Sequence, residues 1–132
     1  MGAGLTRSSS SSKSAPKKTE LDSLCRMLVM ARDRYRCRKC GEPHRMLHWA
    51  HVYSRRYLAL RWNPLNSLAL CPKDHFWWHD HPLDAARWAL EAGIDQAKLS
   101  SLLQENKRHD FEETRKWLID QLATYGITVP SA

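Results

Sequence analysis

No stretch of this 132-residue chain approaches the roughly 18 consecutive apolar residues needed to cross a bilayer, and it does not open on the apolar core of a secretory signal. A soluble protein of the cytoplasm, or of the host cytoplasm if phage-encoded, is expected. The chain also lacks the cysteines for a disulfide framework. Of its four, Cys37 and Cys40 form a C-x-x-C, Cys71 stands alone far downstream and Cys25 falls within a helical pattern. In an intracellular chain such thiols read as metal ligands before they read as disulfides. Residues 1–18 contain no acid and no branched aliphatic residue except Leu5, so they cannot bury enough surface to offset ordering entropy. A disordered, basic, Ser-rich tail is expected there, followed by a single domain over 19–132. No internal repeat is present.

The net charge of +7 is unevenly placed. The tail carries +4 through Arg7, Lys13, Lys17 and Lys18. From Arg26 to Arg61, ten basic residues face only Asp33 and Glu42, a local +8, whereas the chain from Trp62 onward sums to −3. A basic half suits a polyanion, because each phosphate neutralised releases condensed counterions and drives association. Nucleic acid is the expected partner.

Leu21, Leu24, Leu28 and Ala31 recur at helical spacing and predict a helix over 20–34. Cys25 lies in it as a small core residue. The segment Arg36 to Pro43 holds both thiols of the C-x-x-C and then Gly41, the outline of a zinc knuckle. LHWAHVYS, residues 47–54, reads as a strand, Arg55 to Pro64 as a loop, and Ser67 to Cys71 as a second strand. Pro72 suits the first turn of a helix by its fixed φ, and that helix is expected over 72–80, stopping near Pro82. Three further helices are expected over 83–92, 96–105 and 111–124, with Trp88, Leu90, Leu99, Leu102, Leu103, Phe111, Trp117, Leu118 and Leu122 as core.

Structural zinc takes four tetrahedral ligands, and Cys37, Cys40 and Cys71 supply three. On spacing, the fourth is Asp74 or His75. Six of the seven histidines fall between His44 and His81. His75 and His79 stand at i and i+4 on the expected helix, where two imidazoles can grip one divalent ion. His51, at the end of the first strand, points toward that helix. Hydrolysis of a phosphodiester needs a base to deprotonate water and a cation to stabilise charge on phosphate and leaving oxygen, and these three histidines supply both.

The motifs LDSLCRMLVMARDRYRCRKCG, HVYSRRYLALRWNPLNSLALC and HFWWHDHP together resemble the HNH endonucleases, most closely the small C-x-x-C-bearing type of tailed bacteriophages. The likeness runs from about Thr19 to Pro82. It implies an α+β fold, a ββα-metal (HNH) core with a structural zinc knuckle, flanked by α-helices. It also implies His51 as general base, Asn66 as the brace of the loop that orients the base, and His75 and His79 as ligands of the catalytic ion. Hydrolysis would leave 5′-phosphate and 3′-hydroxyl ends. Two positions depart from the family pattern. Ala50 stands where an Asp or His often binds the catalytic metal, and Asp74 replaces the second cysteine of a C-x-x-C-H.

The resulting expectation is a metal-dependent DNA endonuclease, nicking or cutting both strands in phage DNA processing. It would hold structural Zn²⁺ and a catalytic Mg²⁺, Mn²⁺ or Ni²⁺, with Arg55, Arg56 and Arg61 on DNA phosphates. Phage packaging or recombination proteins are the expected protein partners. The alternatives are a non-catalytic zinc-finger DNA-binding module and a structural component of a packaging assembly.

Overall fold

The computed structural model describes residues 15–105 and 109–130. The part of the expected tail up to residue 14 lies outside the described residues, and Lys18 already opens the first helix. The chain forms α1 (Lys18–Arg32), β1 (His48–His51), a single helical turn α2 (Leu58–Arg61), a 3-10 turn (Pro64–Asn66), β2 (Ser67–Leu70), α3 (Pro72–Asp80), α4 (Pro82–Glu91), α5 (Gln96–Gln104) and α6 (Phe111–Thr124). The fold is therefore α+β, with one two-stranded antiparallel sheet among its described elements. None of the described helices is long and apolar enough to cross a membrane.

In α1 the residues Leu21, Leu24, Cys25, Leu28 and Val29 are buried, an i, i+3, i+4, i+7, i+8 stripe that lies against Leu118 and Leu122 of α6. Both of those leucines are fully buried, each contributing about 2 kcal/mol by removal from water. Trp62, Phe111 and Ile127 close this cluster, and Arg115 donates to Glu20 at 2.6 Å across its edge. A second cluster gathers around β2, where every residue from Ser67 to Leu70 is buried. It takes in Met30, Cys37, Leu47, Ala50, Leu60, Ala89 and Leu99. Trp49 packs against both clusters.

The hairpin register pairs His48 with Leu70, Ala50 with Leu68 and His51 with Ser67. The first strand is shorter than the 47–54 read from the sequence. Beyond His51 the chain leaves the sheet because Val52 N–H donates to the carbonyl of Asn66 and Tyr53 N–H to its side chain. The expected loop from Arg55 to Pro64 is partly helical, since α2 buries Leu60 in the core. Leu90 and Trp117, expected in the core, are 59% and 46% exposed, each on the outward face of its helix.

α1 ends in two consecutive left-handed residues, Arg34 at φ 58° and Tyr35 at φ 56°. Neither is glycine, so the turn costs on the order of 1 kcal/mol or more per residue. Asp33 offsets it. Its side chain, 2% exposed, accepts from Arg32 at 2.8 and 3.0 Å, from Arg38 at 3.2 Å and from the backbone N–H of Ala69 at 2.9 Å. Arg32 also donates to the carbonyls of Pro64 and Ser67, and Arg38 to that of Ala92. One carboxylate thus fastens α1, the C-x-x-C segment and β2 together. Asp33→Ala should lower stability by about 3 kcal/mol, because it leaves two guanidinium groups and a buried strand N–H without their acceptor. The midpoint of urea unfolding measures this, and a change below about 0.5 kcal/mol would remove Asp33 from this role.

Candidate functional site

The C-x-x-C lies on a closed turn. Gly41 N–H donates to Cys37 O at 2.9 Å, Cys37 N–H donates to Glu42 O at 3.0 Å, and Arg36 pairs with Pro43 in an isolated bridge. Gly41 takes φ 77°, a value that L side chains disfavour. Arg38 N–H donates to Ala69 O at 2.9 Å and seats the turn on β2. Directly after β2, Cys71 caps α3, its sulfur accepting from Asp74 N–H at 3.5 Å, with Pro72 in the first turn.

This docking brings Cys37, Cys40, Cys71 and Asp74 together, with one ligand atom from each lying within 4.8 Å of all the others. The four are close enough to hold a metal ion. Asp74 Oδ2 lies 3.1 Å from Cys37 Sγ and 3.3 Å from Cys71 Sγ. Burial pushes the Cys37 thiol up to about 12, and the hydrogen bond to Asp74 pushes it the same way. Burial also opposes ionisation of Asp74, but the hydrogen bonds from Cys37 and Cys71 outweigh it and hold its carboxyl below the usual range. Backbone donation from Glu42 and the contact with His44, 3.2 Å from its sulfur, lower the exposed Cys40. A buried carboxylate ringed by thiols is short of positive charge. A bound cation would supply it and deprotonate the thiols outright.

His75 is not part of this group. Its Nε2 lies 3.1 Å from Nε2 of His79 and its Nδ1 lies 2.9 Å from Nδ1 of His48. Helical spacing places Asp74 on the thiol side of α3 and His75 and His79 on the other, so the two alternatives for a fourth ligand part company at the first turn of the helix.

The far side of α3 faces a cleft of about 940 Å³ lined in part by Asp22, Arg26, His51, Tyr53, Arg55, His75, Trp78 and His79. His51 enters it from the end of β1. Its ring stacks edge-on against Trp49 at 4.1 Å, its carbonyl accepts from Trp78 Nε1 at 3.2 Å, and its own Nε2 is buried without a hydrogen-bond partner. Burial, reinforced by the positive charge of Arg55, lowers His51 to about 4. Burial likewise lowers His75, with smaller contributions from His79 and His48. Burial thus disfavours the protonated form of both rings, and of their nitrogens Nε2 of His51 has no partner, whereas both nitrogens of His75 are engaged with His48 and His79.

Asn66, fully buried, accepts from Tyr53 N–H at 2.8 Å and donates to Tyr53 O at 3.1 Å. It thus clasps the backbone two residues beyond His51. Ala50 is fully buried beneath the sheet and offers the cleft nothing. Of the three arginines expected on phosphate, Arg55 and Arg56 are exposed, whereas Arg61 is bidentate to Asp22 at 2.9 and 2.7 Å. Asp22 also accepts from Trp62 Nε1 at 2.8 Å and lies 3.9 Å from Arg55. Sequence reasoning missed His48 and Asp22. The available signals were a further histidine three residues before His51, and an acid preceding the basic stretch.

No family model, curated protein or solved structure matches this chain.

Two measurements check this geometry. The folded protein should carry about one tightly bound metal ion at the cysteines. Cys37→Ser should lose that ion and unfold, since such sites supply on the order of 10 kcal/mol of folding free energy, whereas His75→Ala should keep both ion and fold. Metal loss in His75→Ala would move His75 into the cysteine site. In an NMR pH titration of the metal-loaded protein, the His51 ring should stay neutral down to about pH 4. The sign follows from the direction of the shift. A histidine depressed in the folded state takes its proton first in the unfolded chain, so acidification from the ordinary histidine range toward pH 4 costs stability. A His51 midpoint near 6.5 contradicts this.

Proposed function

We propose that this protein is a metal-dependent DNA endonuclease with a ββα-metal core of the HNH type, and that its cysteine site holds structural zinc. The observation that carries the reading is the meeting, in one cleft, of a neutral His51 having an unpartnered Nε2 with two imidazoles whose Nε2 atoms lie 3.1 Å apart. That separation suits two nitrogens bound at about 2 Å to a common ion. Three thiols with one carboxylate suit zinc, for which thiolate is the usual structural donor.

His75 and His79 would hold a divalent ion such as Mg²⁺, Mn²⁺ or Ni²⁺, which when bound supplies charge stabilisation at the scissile phosphate and the departing 3′ oxygen. The remaining work falls to this chain's own groups. His51, held through its carbonyl by Trp78 and beyond its C-terminal side by Asn66, accepts the proton of the attacking water. Its low basicity keeps it unprotonated among the arginines, at the expense of driving force for the transfer. Arg55 and Arg56 lie exposed on the loop after His51 and meet the phosphate backbone, whereas Arg61, through Asp22, ties that loop to α1. The alternative, a zinc-bearing DNA-binding module without cleavage, draws on Ala50, which provides no carboxylate for a catalytic ion.

Plasmid incubated with Mg²⁺, Mn²⁺ or Ni²⁺ should be nicked or linearised, and EDTA should stop the reaction. His51→Ala should fold and bind DNA but cleave roughly 10²–10⁴-fold more slowly. Salt-sensitive binding without cleavage under any of the three metals would establish the binding module instead.

A further inference from the structure

We infer that His48 is a positioning residue that fixes the tautomer of His75. The inference rests on the reading above, in which His75 and His79 share an ion. An imidazole bound to a metal offers the lone pair of one nitrogen and carries its proton on the other, and the partner of that second nitrogen decides which is which. In known metal sites this partner is ordinarily a carboxylate, a backbone carbonyl or water. In this protein it is another imidazole. His48 Nδ1 sits 2.9 Å from His75 Nδ1, the two rings meeting edge to face with centroids 5.0 Å apart, while His75 Nε2 faces His79 Nε2.

The two contacts use opposite edges of the His75 ring, so in the neutral ring a hydrogen on one edge leaves the lone pair on the other. When His48 Nδ1 accepts, His75 carries its hydrogen on Nδ1 and its lone pair on Nε2, the edge it turns toward His79. In the reverse tautomer Nε2 would hold the hydrogen and could bind no cation. His48 is not a third ligand in this arrangement, because among the described residues the only group of three or more ligand atoms close enough to share one ion is that of Cys37, Cys40, Cys71 and Asp74. The backbone fixes the contact. His48 is the first residue of β1, paired with Leu70 one residue before the Cys71 cap of α3, so sheet register sets its ring beside the first turn of the helix. Arg26, donating to Leu47 O at 3.0 Å, holds the strand at that point.

The test compares His48→Asn, His48→Leu and His48→Ala in the full chain with its cysteine site loaded. Asparagine places an acceptor oxygen about where Nδ1 stands, whereas leucine fills the volume without one. Calorimetric titration with Ni²⁺, together with the visible spectrum of added Co²⁺, should show wild type and His48→Asn binding a second ion alike. The leucine and alanine variants should bind it 10- to 100-fold more weakly. Nitrogen chemical shifts of His75 in the absence of the second ion should report an Nδ1–H tautomer in wild type and His48→Asn, and a mixture in His48→Leu. Unchanged affinity and tautomer in His48→Leu overturn the role of His48 alone. Loss of affinity in His48→Asn equal to that in His48→Ala, with a changed Co²⁺ spectrum, overturns it in favour of direct ligation. A wild-type protein that binds no second ion removes the shared ion and the positioning role together.

Discussion

The carboxylate of Asp33 is the point through which α1, the C-x-x-C turn and β2 are held in one frame. It accepts from Arg32, Arg38 and the N–H of Ala69, and each donor belongs to a different piece of chain. The left-handed pair Arg34 and Tyr35 reverses the chain directly after it, so that Cys37 arrives beside the strand that ends at Leu70, just before Cys71. That reversal brings the thiols of the turn to the thiol at the helix cap, although they belong to separate elements. The metal-ligand group and the cleft are therefore consequences of the same joint. The joint places Cys37 beside Asp74 on one side of α3, and β1 carries His48 and His51 to the other.

This use of charge changes how the basic half of the chain is understood. Arg26, Arg32, Arg38 and Arg61 spend donors on carbonyls or on Asp33 and Asp22, so they brace the fold before they meet any polyanion. Arg55 and Arg56 remain exposed on the rim after β1, with Arg56 lying against Tyr57, its guanidinium 4.9 Å from the ring centre. A local excess of positive charge in the sequence thus divides into an internal scaffold and a smaller outward set. The division depends on where the few acids fall. Asp22 and Asp33 each capture arginines because each is buried enough for the pairing to be weakly screened.

Much of the architecture was legible from the order of residues. The helical spacing of Leu21, Leu24 and Leu28 and the placing of Pro72 after the second strand each act within a few residues, and the elements follow them closely. The short helix Leu58–Arg61 and the early end of β1 were not legible. Both are decided by partners distant in sequence: burial of Leu60 in the core, and capture of the Val52 and Tyr53 backbone by Asn66. Leu90 and Trp117 look like core by composition, but a helix of ten or fourteen residues buries only one face, and which face is a matter of its neighbours.

The sequence by itself determined which side chains could act: three thiols with Asp74 at ligand spacing, His75 and His79 one helical turn apart, and His51 at the end of a strand. Those are properties of residue type and local period, which short-range geometry fixes. Only the tertiary structure decided how they divide. Asp74 turns toward the thiols while His75 turns away, because adjacent residues on a helix point about 100° apart and the sheet covers one side. His48 meets His75 because antiparallel register sets position 48 opposite position 70, and Arg61 at the end of α2 pairs with Asp22 of α1 across 39 positions of sequence. Contacts between residues tens of positions apart depend on how elements dock, and no local pattern in the chain records that.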